Sequence, residues 1–191
     1  LSQLLGLGYR QRSALMEFCT MERCLEHHRG EYCVSSDPDR LDLATVHDYL
    51  SKSYWSPGIP IEVIKRAMGG SICFGLFHRD SQIGFARVVT DRATFAYLCD
   101  VYVLDDYQRQ GLGHWLMEVV ISHPELQGLR RFVLVTRDAH RLYERFGFLP
   151  LARPEGYMEL HRPNVYSNYS SIAVAEQSDA PKSPDGCKFE S

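Results

Sequence analysis

The chain predicts an α/β (α+β) fold: a mixed, mostly antiparallel sheet with helices on both of its faces. Three observations carry this. Residues 72–77 and 83–90 are strand-like runs separated by the turn His78-Arg79-Asp80-Ser81, which makes them an antiparallel hairpin. Residues 94–103 and 132–136 are apolar strand candidates flanking a helix-spaced segment, so they form a parallel pair with a right-handed crossover. Two amphipathic helical segments precede the hairpin.

Taken in order, residues 1–30 show no sustained period and are read as an extension, within which 13–24 is a candidate helix. Residues 31–34 are a short first strand, followed by the turn Ser35-Ser36-Asp37-Pro38. Asp42 is placed to cap a helix whose inner face is Leu43, Val46, His47 and Leu50. After the aromatic loop of residues 54–60, Pro60 starts a second helix with Ile61, Ile64, Ala67 and Met68 on its buried face, stopped by Gly69-Gly70. The third helix carries Leu112, Trp115, Leu116, Met117, Val119, Val120 and Ile121, apolar nearly all round, and is predicted to be covered on most sides. Asp138 is placed to cap a fourth helix, with Gly147 as its left-handed terminus. Residues 157–160 complete the prediction as a final strand. From 163 to 191 the composition turns to Ser, Asn, Asp, Pro and Lys, and a disordered tail is expected.

The formal net charge of -3 gives no basic field, so nucleic acid is not an expected partner. No run is long and apolar enough to span a bilayer. Six cysteines (Cys19, Cys24, Cys33, Cys73, Cys99 and Cys187) are scattered without a disulfide framework, which fits a reducing, cytoplasmic setting. Cys19, Cys24, His27, His28 and Cys33 match no zinc spacing, and no metal site is expected, a metal-binding role for this segment being the weaker alternative.

The stretch from Asp100 to His114 runs from a strand through Asp105-Asp106 turn chemistry into Gln108-Arg109-Gln110-Gly111-Leu112-Gly113-His114. A glycine-rich entry into a helix offers unpaired N–H groups and the positive end of the dipole, a seat for a phosphate or pyrophosphate. The third glycine of a dinucleotide fingerprint and the Gly-Lys-Ser/Thr of a P-loop are both missing.

Gln108-x-x-Gly111-x-Gly113 after a valine-rich strand resembles motif A of the GNAT N-acetyltransferase superfamily. Ala139-His140-Arg141-Leu142-Tyr143-Glu144-Arg145-Phe146-Gly147-Phe148 is similar to its A-x-x-L-Y-x-x-x-G-F helix, and Gly84-Phe85-Ala86-Arg87-Val88 to the strand before the cofactor strand. The resemblance covers residues 31–162, that of a small single-domain member of the bacterial type.

It implies a splayed parallel central pair and acetyl-coenzyme A as donor. The backbone of Val101, Tyr102 and Val103 would pair with the pantetheine arm, and the amides of Gln108, Arg109, Gln110, Gly111, Leu112, Gly113 and His114 would surround the pyrophosphate. A backbone N–H on that strand would also stabilise the oxyanion. Asp138 stands where the family often has a pantetheine-binding Asn; it lacks the amide donor. Tyr143 matches the tyrosine that protonates the departing thiolate. Asp100 is the candidate general base, with an ion pair to an arginine such as Arg87 as its other reading and water as a competing base. His47 is a further candidate. Cys99 is not expected to carry the acyl group, because the family transfers directly from thioester to amine. Tyr54, Trp55 and Ile59 lie on the loop that borders the acceptor site in this fold.

The expected function is transfer of an acetyl group to a primary amine of a small molecule, in a ternary complex, by a monomer or homodimer. The alternative is a non-catalytic acetyl-coenzyme A sensor.

Overall fold

The computed structural model describes residues 24–169. Six strands form one sheet in the order β1-β2-β3-β4-β5-β6, antiparallel except for the last pair. Turn chemistry builds its hairpins. β1 (Glu26–Arg29) and β2 (Tyr32–Ser35) are joined through Gly30 at φ +61°, and β3 (Ile72–His78) and β4 (Ser81–Thr90) through Arg79 at φ +54°. Asp91 then closes the turn into β5 (Phe95–Val103): its carboxylate accepts from the backbone N–H groups of Ala93, Thr94 and Phe95 at 2.8–3.0 Å. The Thr94 hydroxyl, which donates to Asp91 Oδ2 at 2.6 Å, and then those backbone bonds hold the Asp91 carboxyl well below the usual carboxylate range. β6 (Arg131–Leu134) runs parallel to the first half of β5.

Helices cover both faces, as the sequence predicts. On one face lie α1 (Leu43–Leu50), capped by Asp42 Oδ1 on the N–H groups of Ala44 and Thr45, and α2 (Ile61–Gly69). With Phe85, Cys73 and Tyr102 of the sheet they bury Val46, Leu50 and Ile64. On the other face α3 (Leu112–Ser122) buries Leu112, Trp115, Leu116, Met117, Val119 and Val120 against Phe74, Leu76, Val88 and Leu98. α4 (His140–Glu144) packs Tyr143 onto that same core. Each fully buried Leu, Val or Phe contributes on the order of 1.5–3 kcal/mol.

β5 carries one irregularity, and it lies beside the cleft. Ala96 and Leu98 face the α3 core, but so do Val101 and Val103, so the side-chain alternation changes parity between them. Asp100, at φ +54°, is the extra residue of a β-bulge where the β4–β5 register shifts between Phe85 and Arg87. Aspartate tolerates this left-handed backbone better than most residues. Beside it, Gly84 is required by close approach, because a Cβ there would stand 2.8 Å from the Tyr102 carbonyl oxygen.

Several expectations are corrected. The sheet begins at Glu26, upstream of the boundary expected at residue 31, because the Gly30 turn adds β1 to its edge. Residues 157–160 form no strand; the chain there is extended and exposed, with Met158 98 % and Leu160 82 % accessible. β6 is therefore an edge strand, half-buried rather than buried, and Val135 beyond it is 84 % exposed. α4 is shorter than expected and is capped at Ala139, whose N–H donates to Thr136 Oγ1, not by Asp138. Val165–Asn168 forms a 3-10 turn, placing Tyr166 against the α1–α2 core inside the expected tail. The rest of that tail and nearly all of the candidate helix at 13–24 lie outside the described residues.

Candidate active site

β5 and β6 pair only from Phe95↔Arg131 to Leu98↔Leu134; beyond that β6 stops while β5 continues to Val103. The splay opens a cleft of about 1020 Å³ that extends from the α3 N-terminus past Tyr143 to the loop after α1.

Its α3 side is made of backbone. Arg109 and Gly111 both have positive φ (+61° and +78°), which turns successive N–H groups towards one concavity. Gly111 is the N-cap of α3 and brings no side-chain cap, and the first helical bond is Trp115 N–H to Gly111 C=O at 3.0 Å. The amides of Leu112, Gly113 and His114 therefore have no intrahelical acceptor. A Cβ on Gly111 would meet nothing within 4 Å, and one on Gly113 only Val103 Cγ2 at 3.8 Å, so packing inside the protein does not require these glycines. They leave open space over unpaired amides. A pyrophosphate fits that arrangement.

The side chains of Gln108 and Gln110 hold the turn that presents these amides. Gln108 Nε2 donates to Val103 C=O at 2.9 Å and to Asp105 Oδ1 at 2.8 Å; Gln110 donates to Asp106 C=O and accepts from the Tyr32 hydroxyl. His114 lies against Phe146 and is 3.4 Å from Glu118. Arg109 lines the cleft.

The opposite side is made of side chains. Asp100 Oδ2 accepts from Arg87 Nε at 2.7 Å, and its Oδ1 accepts from the Trp55 indole at 3.2 Å. Arg87 also donates to Ser71 Oγ at 3.2 Å. The ion pair is well shielded, its two side chains being 17 % and 12 % exposed, so of the two readings of Asp100 the arginine pair is present in the structure. Arg87 keeps its charge firmly: burial is the largest single influence and opposes it, but the charge and hydrogen bond of Asp100, together with Cys99 and Cys73, raise its pKa on balance.

Tyr143 is 8 % exposed and lines the cleft; burial pushes its phenol up to about 12, with Tyr54 and Asp138 as smaller contributors. Its hydroxyl makes no hydrogen bond among the described residues. Cys99, also in the cleft, has its thiol pushed up to about 12 by burial, so it holds its proton and is a poor nucleophile. His47 is occupied otherwise: its Nε2 lies 3.2 Å from the Ile59 carbonyl. Asp138 lines the cleft with its side chain exposed beside Arg137, at 3.6 Å.

The loop after α1 has a rigid base, where the buried Ser53 and Ser56 hydroxyls bond each other and Leu50 C=O. Its tip carries Tyr54 and Trp55 in edge-to-face contact at 4.9 Å. Trp55 reaches β5 through Asp100, and Tyr54 lies under Arg137, 3.8 Å from the ring centre, beyond β6. The loop thus bridges both arms of the splay. Sequence reasoning missed Tyr49, Tyr97 and Arg137 as parts of this wall and Ser71 as the second partner of Arg87; they share no motif, and only the fold collects them.

The model for the acetyltransferase (GNAT) family matches residues 36–148. The chain belongs to that family. It is an acetyltransferase of GNAT type, and the amide cradle falls within the matched residues. A GNAT-family crystal structure from Xanthomonas campestris pv. campestris is 45 % identical with a TM-score of 0.70, the match covering 73 % of this chain and 99 % of that one. A protein of Gibberella zeae, named as a candidate acetyltransferase, is 34 % identical across 60 % of this chain and 77 % of its own length. A predicted acetyltransferase from Clostridium acetobutylicum, solved with acetyl-CoA, shares the fold at 12 % identity and a TM-score of 0.51, covering 68 % of this chain and 94 % of that one. The GNAT family generally uses acetyl-CoA. Among the described residues no helix is long and apolar enough to cross a membrane.

Proposed function

We propose that this GNAT protein transfers the acetyl group of acetyl-coenzyme A to the primary amine of a small molecule, by direct attack within a ternary complex. The observation that carries the reading is the splay itself: a cleft with an unpaired amide cradle at one end, the backbone of Val101 and Val103 left without a β6 partner along one wall, and Tyr143 beside it. The cradle residues 108–114 hold the pyrophosphate, and the β5 backbone supplies the pantetheine contacts and the oxyanion N–H. The amine nitrogen attacks the thioester carbonyl, the C–S bond breaks, and the Tyr143 hydroxyl gives its proton to the leaving sulfur. Burial raises the Tyr143 phenol and the Cys99 thiol alike, each to about 12, so a thiolate leaving into this cleft is basic enough to take the phenol's proton.

Asp100 has both oxygens engaged, so in this reading it orients the acceptor ammonium and draws off its proton through an intervening water. The strap of Tyr54 and Trp55 with Arg137 narrows the mouth and favours a compact acceptor over a folded protein surface. The domain in this reading is residues 26–162.

An amine-panel assay with acetyl-coenzyme A, read by thiol release and product mass, tests the proposal. Acetylation of at least one small primary amine is expected. Cofactor binding without thioester consumption across the panel would replace the enzyme reading by a sensor.

A further inference from the structure

At the sheet edge farthest from the cleft, a second cluster of chemistry-bearing side chains has no role in acetyl transfer. Glu26 and His28 alternate along β1 and so share one face, and the β1–β2 register sets Cys33 directly across from His28. One carboxylate oxygen of Glu26, Nε2 of His28 and Sγ of Cys33 all lie within 4.8 Å of one another.

We propose that this face is a transition-metal site, with Glu26, His28 and Cys33 as ligands and zinc as the metal that suits them. The donor set is one thiolate, one imidazole and one carboxylate, the ligand types zinc takes, and it leaves a fourth tetrahedral position for water. The distances agree. With Zn–S of about 2.3 Å and Zn–N and Zn–O of about 2.0–2.1 Å, tetrahedral angles put sulfur and nitrogen about 3.6 Å apart and nitrogen and oxygen about 3.4 Å apart. The protein holds Cys33 Sγ 3.9 Å from His28 Nε2, and His28 Nε2 3.5 Å from Glu26 Oε2. The sulfur–oxygen separation is bounded only by 4.8 Å, so closing the site takes a movement of up to about 1 Å, which the half-exposed Glu26 and exposed His28 side chains can supply.

Arg40 is the group that competes. It bonds Glu26 through Oε1, the oxygen turned away from His28, and donates to Cys33 Sγ at 3.3 Å. Oε2 is thereby left for the metal, while the same guanidinium nitrogen bridges Glu26 and Cys33 and has to give up the sulfur when the thiolate turns to the metal. Its charge beside a divalent ion is offset by the two anionic ligands. The spacing Glu26-x-His28-x₄-Cys33 corresponds to no zinc signature; cross-strand pairing assembles it. Such a site would clamp β1 to β2, the short outermost pair of the sheet.

The test uses the full chain, stripped with EDTA and titrated with zinc chloride by calorimetry and with cobalt(II) by absorbance. One zinc per chain is expected, together with a thiolate-to-cobalt charge-transfer band and a rise in Tm by mass action. His28→Ala and Glu26→Gln, both on accessible side chains, should each weaken zinc at least about tenfold while leaving acetyl-coenzyme A binding unchanged. Cys33 is buried, so Cys33→Ser is read by loss of the charge-transfer band only after its unfolding transition is shown to be cooperative. Absence of zinc uptake at tens of micromolar, or uptake that His28→Ala leaves intact, overturns the proposal.

Discussion

On the α3 side of the cleft, the groups that face a ligand are backbone amides, presented by two positive-φ residues and a helix end without a side-chain cap. On the α1 side they are side chains tied to each other: Asp100 to Arg87 and Trp55 and Lys52 to Asp48 through polar atoms, and Arg137 to Tyr54 through the face of the tyrosine ring. Backbone construction tolerates almost any sequence provided the glycines stay. Side-chain construction has to be chosen residue by residue, so it is the half that can encode a particular acceptor.

Substitutions can break this contrast. The largest effect is expected from Tyr143→Phe, which removes the proton offered to the leaving sulfur. Its kcat should fall about 10²–10⁴-fold with little change in KM for acetyl-coenzyme A. An unchanged kcat would take Tyr143 out of the mechanism.

Arg87→Met leaves Asp100 shielded and uncompensated. Unfolding by denaturant should show a loss of about 3–5 kcal/mol, and the double variant with Asp100→Asn should recover part of it. A strictly additive double variant would mean that the pair does not act as a unit.

Gly111→Val puts a β-branched residue at φ +78°, a strain of about 1–3 kcal/mol, and fills the space over the amides. The thermal shift given by acetyl-coenzyme A should vanish while cooperative folding persists. If the shift survives, the cradle is elsewhere.

Trp55→Phe removes one indole hydrogen bond at a 40 % exposed position. A few-fold rise in KM for the acceptor is expected, about 1 kcal/mol at most, with acetyl-coenzyme A affinity unmoved. Equal effects on both substrates would erase the distinction between the two halves.

The smallest signal is in pH. The ordinary phenol value is 10.0 and the folded Tyr143 sits at about 12, so the folded state binds that proton more tightly. Its contribution to stability is complete below pH 10 and is lost as pH rises towards 12. Any fall in kcat on the alkaline side well below that window therefore belongs to another group, and Tyr143→Phe should leave it in place.

Much of the architecture was legible because its causes are local. Asp42 caps α1, the β3–β4 turn falls at Arg79-Asp80, and α3 is covered on most sides, with Glu118 and Ser122 exposed. The unpaired amides at the α3 entry were equally legible, since such a run leaves its mark as closely spaced glycines. The final strand failed for a different reason: strand propensity at residues 157–160 has no effect without a neighbour to supply the ladder, and none pairs with it among the described residues.

By itself, then, the sequence determined the family, the β3–β4 hairpin, the crossover and the glycine-rich entry into α3, all properties of short continuous stretches. Only the tertiary structure decided where the sheet splays, that the bulge at Asp100 turns its carboxylate to Arg87 and Trp55, and that Glu26, His28 and Cys33 meet across a hairpin. Trp55 and Asp100 are 45 residues apart, and Arg87 and Asp100 are 13 apart on neighbouring strands. Contacts of that kind obey no period and occupy no motif, because strand register and chain closure, not neighbouring residues, bring their atoms together.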